Sequence, residues 1–367
     1  MKPLADWAGL RELLCIRLDN MGDVLMTTPA IRALKSSMPG ARITLMASRS
    51  GAQLAPFLPD IDEVISYDAP WVKNDATGYG EPAMIDTLRE RNFDAAVIFT
   101  VYTQSALPAA LICHLAGITR VLAHCRENPY RLIDPWVRDD EPSEGIRHEV
   151  QRQLDLVASI GAQTSDQHLS FALRTRDRHA MHAVLRKHGL KLPLAYVVAH
   201  CGASAPSRRY SPAKFAQAFS LMRDTSRPIL LTGNAQEREL TAQIIAATRT
   251  RAPVLNLAGE LTLGELACVI DESDLLISNN TGPVHIAAAV RTPVVDVYAL
   301  TNPQHGPWQV PHRTLSHDVA CKYCYRSICP LGTNACLEGV DPHEVASAAD
   351  KLLQLASHPV SRPVAAA

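Results

Sequence analysis

The sequence predicts an α/β protein of two Rossmann-like, doubly wound domains, and two stretches carry that prediction. Residues 274–298, DLLISNNTGPVHIAAAVRTPVVDVY, read as strand, polar turn, short helix and strand. DLLIS and the Val-rich 293–298 are apolar runs of strand length, and HIAAAV between them has helical composition. Two buried parallel strands joined by a helix form one βαβ unit. Near the start, LLCIRL at 13–18 is followed by a Gly-containing turn, a helix through 30–35 and a second apolar run at 41–47. That is the opening of a doubly wound domain. At 367 residues the chain has room for two.

The remaining elements follow in order. Residues 64–67, 94–100 and 121–123 read as strands, with an apolar helix over 104–117 and a loop over 71–82 that contains Gly78 and Gly80. Residues 148–161 form a helix with Val150, Leu154, Val157 and Ala158 on its apolar face. A charged helix over 177–188 leads out of the first half, and a fresh buried strand begins at 194. The domains are therefore expected at 1–175 and 176–335, with a Cys-rich segment at 321–336. A last helix and tail fill 336–367, the tail at 357–367 reading as frayed. In the second half, strands are expected at 228–232 and 254–257, with helices at 214–223 and 238–247.

Composition narrows the function. A net charge of −1 argues against a bulk nucleic-acid binder. Hydrophobic content of 47% with 20% charged residues is that of a folded globular protein. Residues 1–11 lack the apolar core of a signal peptide, and no run of about 18 apolar residues spans a membrane. A cytoplasmic protein with reduced thiols is expected. There is no G-x-G-x-x-G, so a dinucleotide fingerprint is absent.

Several side chains stand where chemistry is done, each with a plainer alternative. Asp23 follows the first strand; it caps the next helix, or it is a carboxylate base beside the crevice. In the turn 279–283, Asn280 and Thr281 precede Gly282, which lets the backbone approach a ligand, and Pro283 suits the first helical position. The positive helix end there favours a phosphate. An ordinary capped turn with His285 packed in the core is the simpler reading of these residues alone. Gly202, Ser204 and Ser207 with Arg208 and Arg209 suit a diphosphate equally as well as a surface loop. Glu237 holds a ribose hydroxyl or begins a helix. The arginines of the first half, Arg126 and Arg152 among them, are solvated surface or a pocket for a phosphorylated or carboxylated partner.

Four segments in matching order then carry a resemblance: RLDNMGDVLMTTPAIRALK (17–35), RHEVQR (147–152), SRRYSPAKFA (207–216) and SNNTGPVHIAAAVRTPVV (278–295). Together they resemble the ADP-heptose:lipopolysaccharide heptosyltransferases, glycosyltransferase family 9, over most of residues 13–345. The resemblance implies a GT-B fold, two Rossmann-like domains facing a central cleft. It implies an inverting transfer needing neither metal nor cofactor, from a nucleotide-sugar donor such as ADP-heptose to a lipid-linked glycan acceptor. It places a catalytic base at Asp23. Donor contacts fall at Arg208, Thr281, Gly282 and His285, with Asn280 and Glu237 beside them, and acceptor contacts at Arg126, His148 and Arg152. A lipid-anchored acceptor also implies peripheral contact with the inner membrane face, and GT-B proteins often return their terminal helix to the first domain. Two departures stand out: the family's usual acid before Thr-Gly is Asn280 here, and its K-R-W-P is R-R-Y-S at 208–211. Alternatives of other classes are a GT-B nucleotide-sugar epimerase and a non-catalytic sugar-nucleotide or metal-binding module.

Cys321, Cys324, Cys329 and Cys336 give C-x2-C-x4-C-x6-C. Reduced loop thiols, a structural clasp, and a zinc or iron–sulfur site all fit that spacing.

Overall fold

The computed structural model describes Trp7 and residues 9–72 and 80–356. The centre of the expected 71–82 loop and the expected tail at 357–367 lie outside the described residues. The chain divides into two compact units, 1–172 and 173–367.

The first unit is a six-stranded sheet. Its strands are β1 (Glu12–Arg17), β2 (Arg42–Ala47), β3 (Glu63–Ser66), β4 (Ala95–Ile98), β5 (Val121–Cys125) and β6 (Trp136–Arg138), in the order β3-β2-β1-β4-β5-β6. Every ladder is parallel. The helices are α1 (Met21–Ser37), α2 (Arg49–Ala52), α3 (Glu81–Arg91), α4 (Leu107–Leu115) and α5 (Glu149–Ala158). β1 and β4 are apolar on both faces because helices cover both, as parallel sheets require.

The second unit repeats the plan. β7 (Val197–His200), β8 (Ile229–Thr232), β9 (Val254–Asn256), β10 (Leu275–Asn279), β11 (Val294–Val297) and β12 (His312–Leu315) run in the order β12-β11-β10-β7-β8-β9, all parallel. Its helices are α6 (Thr175–Lys187), α7 (Pro212–Leu221), α8 (Arg238–Ala247), α9 (Leu263–Asp271), α10 (Gly282–Ala289), α11 (Ala335–Glu338) and α12 (Pro342–Ala356). Counted from its own first strand, each sheet has the order 3-2-1-4-5-6. The strand order therefore reverses between β1 and β4, and again between β7 and β10. In such sheets ligands bind outside the carboxyl ends of the strands at that switch point.

The terminal helix corrects one expectation. Val345, Ala349, Leu352 and Leu353 of α12 are buried in the second unit's core with Phe215, Phe219 and Val297. Its apolar face is thus used up within the second unit, where a return to the first domain had been expected. No helix among the described residues is long and apolar enough to cross a membrane.

Candidate functional site

In the first unit the side chains converge where β1 ends. Arg17, the last residue of β1, is completely buried and serves three carboxylates. Its Nη1 donates to Glu149 Oε1 at 2.7 Å, its Nη2 to Asp23 Oδ1 at 3.3 Å, and its Nε lies 2.8 Å from Asp19 Oδ2. Burial opposes the guanidinium's charge, but Asp19, Glu149 and Asp23 together raise its pKa above the usual range. Asp23 stands in the first turn of α1, where its Oδ2 accepts from the Asn20 N–H at 3.1 Å. The capping reading of Asp23 is thus realised, and the carboxylate still keeps a partly open edge, its side chain 12% exposed. Glu149 is fully buried; Gln153 Nε2 donates to its Oε1 at 2.7 Å, and its Oε2 has no hydrogen-bond partner. Burial, aided by the nearby Asp23 charge and opposed by Arg17, raises the pKa of Asp19. Gln104 Nε2 donates to Asp19 Oδ1 at 2.5 Å.

The three expected acceptor residues have different partners, although Arg126 and Arg152 both reach Asp139. Arg126 is half exposed; its Nη2 donates to the carbonyls of Tyr102 at 2.8 Å and Glu141 at 2.7 Å, and it borders a polar cavity of about 150 Å³ with His124 and Asp139. His148 is the N-cap of α5, its Nδ1 accepting from the Val150 N–H at 3.2 Å. Arg152 is 1% exposed, and its guanidinium is spent internally. Nε donates to Thr100 O at 2.9 Å, Nη1 and Nη2 grip Asp139 at 2.8 and 3.0 Å, and Nη1 also reaches Glu141. Arg152, which the resemblance placed on the acceptor side, ties the segment after β4 to the 139–141 loop. Burial pushes the Asp139 carboxyl up, but Arg152 outweighs it and holds the group below its ordinary value.

In the second unit the strand ends carry the other candidates. Asn279, buried at the end of β10, donates from Nδ2 to Cys201 O at 2.6 Å and accepts from the Tyr210 N–H at 3.1 Å. It thereby fixes the 201–210 loop beside the 280–282 turn, a role sequence reasoning missed. Asn280, 5% exposed, donates from Nδ2 to Asp296 Oδ2 at 2.9 Å and to His305 O at 3.1 Å. Asp296 is completely buried on β11, and its Oδ1 has no hydrogen-bond partner. Burial raises its carboxyl to about 7, against the lowering from Asn280 and the Arg208 charge. Thr281 precedes α10 in extended backbone, its side chain making no capping bond, and Gly282 is the first residue of the helix. His285 lies buried inside α10. Arg208 closes a short 3-10 turn and donates from Nη2 to Asn302 Oδ1 at 3.1 Å.

Glu237 shows the helix-starting one of its two expected readings. Its Oε2 accepts from the Asn234 N–H at 2.9 Å, a reciprocal cap before α8. Its carboxylate also lies against the ends of β7 and β8, so closely that a Cβ at Gly202 would fall 1.9 Å from Oε1. Gly202 is required there by that close approach. Burial first, and then the nearby Cys324, Cys321 and Cys329, raise the thiol pKa of Cys336; among the described residues no group of three or more His, Cys, Asp or Glu side chains is arranged to hold a metal ion.

The chemistry of this arrangement is that of two switch points. One carries a carboxylate fixed by an arginine. The other carries a helix N-terminus beside an arginine, a pairing that suits a phosphate. Among curated proteins, a lipooligosaccharide heptosyltransferase 2 of Campylobacter jejuni is 25% identical over 91% of this chain and 96% of its own. The lipopolysaccharide heptosyltransferase 2 of Escherichia coli is 26% identical over 81% of this chain and 85% of its own. Among solved structures, a family 9 glycosyltransferase from Veillonella parvula superposes with a TM-score of 0.76 at 20% identity, covering 94% of this chain and 97% of that one. The E. coli ADP-heptose lps heptosyltransferase II gives 0.71 at 22% identity, covering 94% and 99%. The fold is thus the GT-B architecture that the resemblance implied. Residues 83–334 match the family described as "Glycosyltransferase family 9 (heptosyltransferase)", and the chain belongs to that family of glycosyltransferases.

Proposed function

We propose that the protein transfers a heptose from ADP-heptose to a lipopolysaccharide core acceptor, with inversion and without a metal. The observation that carries this reading is Asp23. It is a carboxylate held by Arg17 and the Asn20 amide just after the end of β1, its side chain 12% exposed. The names of the relatives support the sugar and the acceptor class. In the reaction an acceptor hydroxyl attacks the anomeric carbon from the face opposite the diphosphate. The carbon–oxygen bond to the diphosphate breaks, its electron pair leaves with ADP, and the hydroxyl proton passes to Asp23. Arg208 and the N-terminus of α10 supply fixed positive potential for the departing diphosphate. Asn280, Thr281, His285 and Glu237 complete the donor site in this reading, and Arg126 and His148 contribute to the acceptor side. Arg152 acts there only by holding Asp139 and Glu141. An acceptor anchored in lipid places the enzyme in the cytoplasm, with peripheral contact at the inner membrane face.

The test compares wild type with Asp23→Asn, which keeps the polar cap, and with Asp23→Ala. ADP release and the acceptor mass are followed in the presence of EDTA, and ADP-heptose affinity is measured by calorimetry. Both variants are expected to lose at least about 100-fold in turnover, the low end of general-base catalysis, with donor affinity within about threefold of wild type. Normal turnover in Asp23→Asn removes the base assignment. Loss of wild-type activity in EDTA, restored by magnesium, removes metal independence.

A further inference from the structure

Arg208 does not stand alone in the second unit. It comes from the loop after β7, and its Nη2 donates at 3.1 Å to Oδ1 of Asn302, on the loop after β11. β7 and β11 are the two neighbours of β10 in the sheet. The bond therefore bridges the strands on either side of β10, whose own end carries the 280–282 turn. Arg208 can only donate, so it settles which end of the Asn302 amide is oxygen. That oxygen also accepts from Thr301 Oγ1 at 2.7 Å, which fills its two lone pairs. At the other end Nδ2 faces His305 Nδ1 at 3.1 Å, and the Tyr298 hydroxyl donates to the Asn302 carbonyl. The amide oxygen has nothing left for a ligand; what it offers is a fixed guanidinium.

The loop that carries Asn302 is itself seated. The N–H groups of Tyr323 and Tyr325 donate to the carbonyls of Leu300 at 2.6 Å and Thr301 at 2.9 Å. Both tyrosines hold left-handed backbone, with φ of 62° and 53°, a region that a residue with a Cβ disfavours. Such backbone persists where the bonds around it over-determine it. The next residues of the same segment reach the Arg208 loop. Ser207 donates from its backbone N–H to Ser327 O at 3.0 Å and from its Oγ to Arg326 O at 2.6 Å. The 323–327 stretch of the cysteine-rich segment thus holds both loops through its backbone.

The geometry points to Asn302, seated by the 323–327 backbone, as a positioning residue for Arg208 in donor binding, a role that rests on the diphosphate reading of Arg208. An arginine side chain gives up rotamer freedom when it grips an anion, and one already held gives up less. A guanidinium fixed before the diphosphate departs also stabilises the leaving charge without having to reorganise. Asn302 takes one of the five N–H groups, and the fork keeps the rest for phosphate oxygens.

A double-mutant cycle on the full chain tests this: wild type, Asn302→Ala, Arg208→Ala and the double variant, with ADP affinity read by calorimetry. Asn302→Ala should weaken ADP about 3- to 10-fold, the worth of one hydrogen bond. In the Arg208→Ala background the same change should cost less than about twofold, because the group it positions is gone. In heptosyl-transfer assays Asn302→Ala should raise the donor KM, lower kcat and leave the acceptor KM unchanged. Thr301→Val removes only the hydroxyl bonded to the amide oxygen; it should repeat the pattern more weakly, and it carries the test if Asn302→Ala does not fold. Equal weakening in both backgrounds, or none beside an intact Arg208, would overturn the positioning and leave Arg208 in the donor site. Unchanged ADP affinity in Arg208→Ala would sink the donor role of Arg208 and the positioning with it. A cycle that couples as expected in a protein that transfers no heptose would keep the positioning and sink the transferase reading instead.

Discussion

Removing the Arg17 guanidinium tests whether the buried ion cluster is one unit. In Arg17→Met the side chain keeps its length, and Glu149 is left fully buried without its counter-charge. Breaking a buried pair from one side costs about 3–5 kcal/mol, a large part of the roughly 5–15 kcal/mol that holds a domain folded. Glu149→Leu should cost less, about 1–3 kcal/mol. Arg17 then keeps Asp19 at 2.8 Å and Asp23 at 3.3 Å. The double variant buries neither charge, so it should recover at least about 2 kcal/mol relative to the sum of the singles. The pH dependence has a fixed sign. Burial already raises the Asp19 carboxyl against the lowering from Arg17, and in Arg17→Met that opposition is gone, so the native state binds a proton that the unfolded state has released above about pH 3.9. Stability of Arg17→Met must therefore fall as pH rises from that value through the raised one, and its deficit against wild type must be smaller at pH 5 than at pH 8. Urea unfolding at both pH values, read on the transition of the first unit, measures all four corners. Additivity within about 0.5 kcal/mol, or a deficit independent of pH, would refute the reasoning.

Three further outcomes follow from the second unit and the cysteines. Asp296 has its carboxyl raised to about 7, so its contribution to stability is full below about pH 4 and lost as pH rises through 7, at up to about 1.4 kcal/mol per pH unit. Asp296→Asn should flatten that part of the stability–pH curve, and an unchanged curve contradicts the burial argument. Arg208→Ala removes a cation near Asp296 and the Asn302 contact; ADP-heptose affinity should fall about 10-fold or more, and unchanged calorimetry would take Arg208 out of the donor site. Backbone N–H groups, led by that of Asn334, hold the Cys329 thiol below its ordinary pKa, whereas burial pushes Cys113 up to about 12. Brief alkylation at pH 7.5 followed by mass spectrometry should therefore label Cys329 well before Cys113, and the reverse order would contradict both assignments.

The apolar periodicity reads the central strands because β1, β4, β7, β8 and β10 are buried on both faces. It passes over β6 and β12, which stand at sheet edges with exposed residues such as Trp136, Arg138 and His312, and so leave no apolar run. The polar site is legible only in part. Asp23 and the 280–282 turn announce themselves by their place after a strand and before a helix. Arg17 and Asp296 had a signal that went unused: each is a lone charge inside an apolar strand, LLCIR and VVDV, where a charge persists only if something answers it. Glu149 had none, since a helix of mixed composition does not say which acid faces inward. For Arg152, which the resemblance placed on the acceptor side, the sequence does not reveal that Asp139 takes both of its terminal nitrogens.

The departure at Asn280 is best understood through Asp296. A carboxylate in a ligand-binding turn offers acceptors only, whereas an amide offers a donor face and an acceptor face and can present either. Here both amide hydrogens are engaged, one by Asp296 Oδ2 at 2.9 Å and the other by His305 O at 3.1 Å. The His305 carbonyl can only accept, so it settles which end of the amide is nitrogen. What Asn280 has left is Oδ1, an acceptor, the same kind of group that a carboxylate would offer. The negative charge has moved one strand over, to a buried carboxyl raised to about 7. A direct acid at position 280 would carry its charge in the turn itself; the arrangement with Asp296 gains it one strand away, as pH rises through about 7. The exchange Asn280→Asp with Asp296→Asn reverses the pair, the new amide donating to the new carboxylate across the same contact, and costs the bond to the His305 carbonyl. Donor affinity in the exchanged protein should then vary less between pH 6 and 8 than in wild type, and an unchanged pH profile would show that Asp296 supports the turn by shape alone.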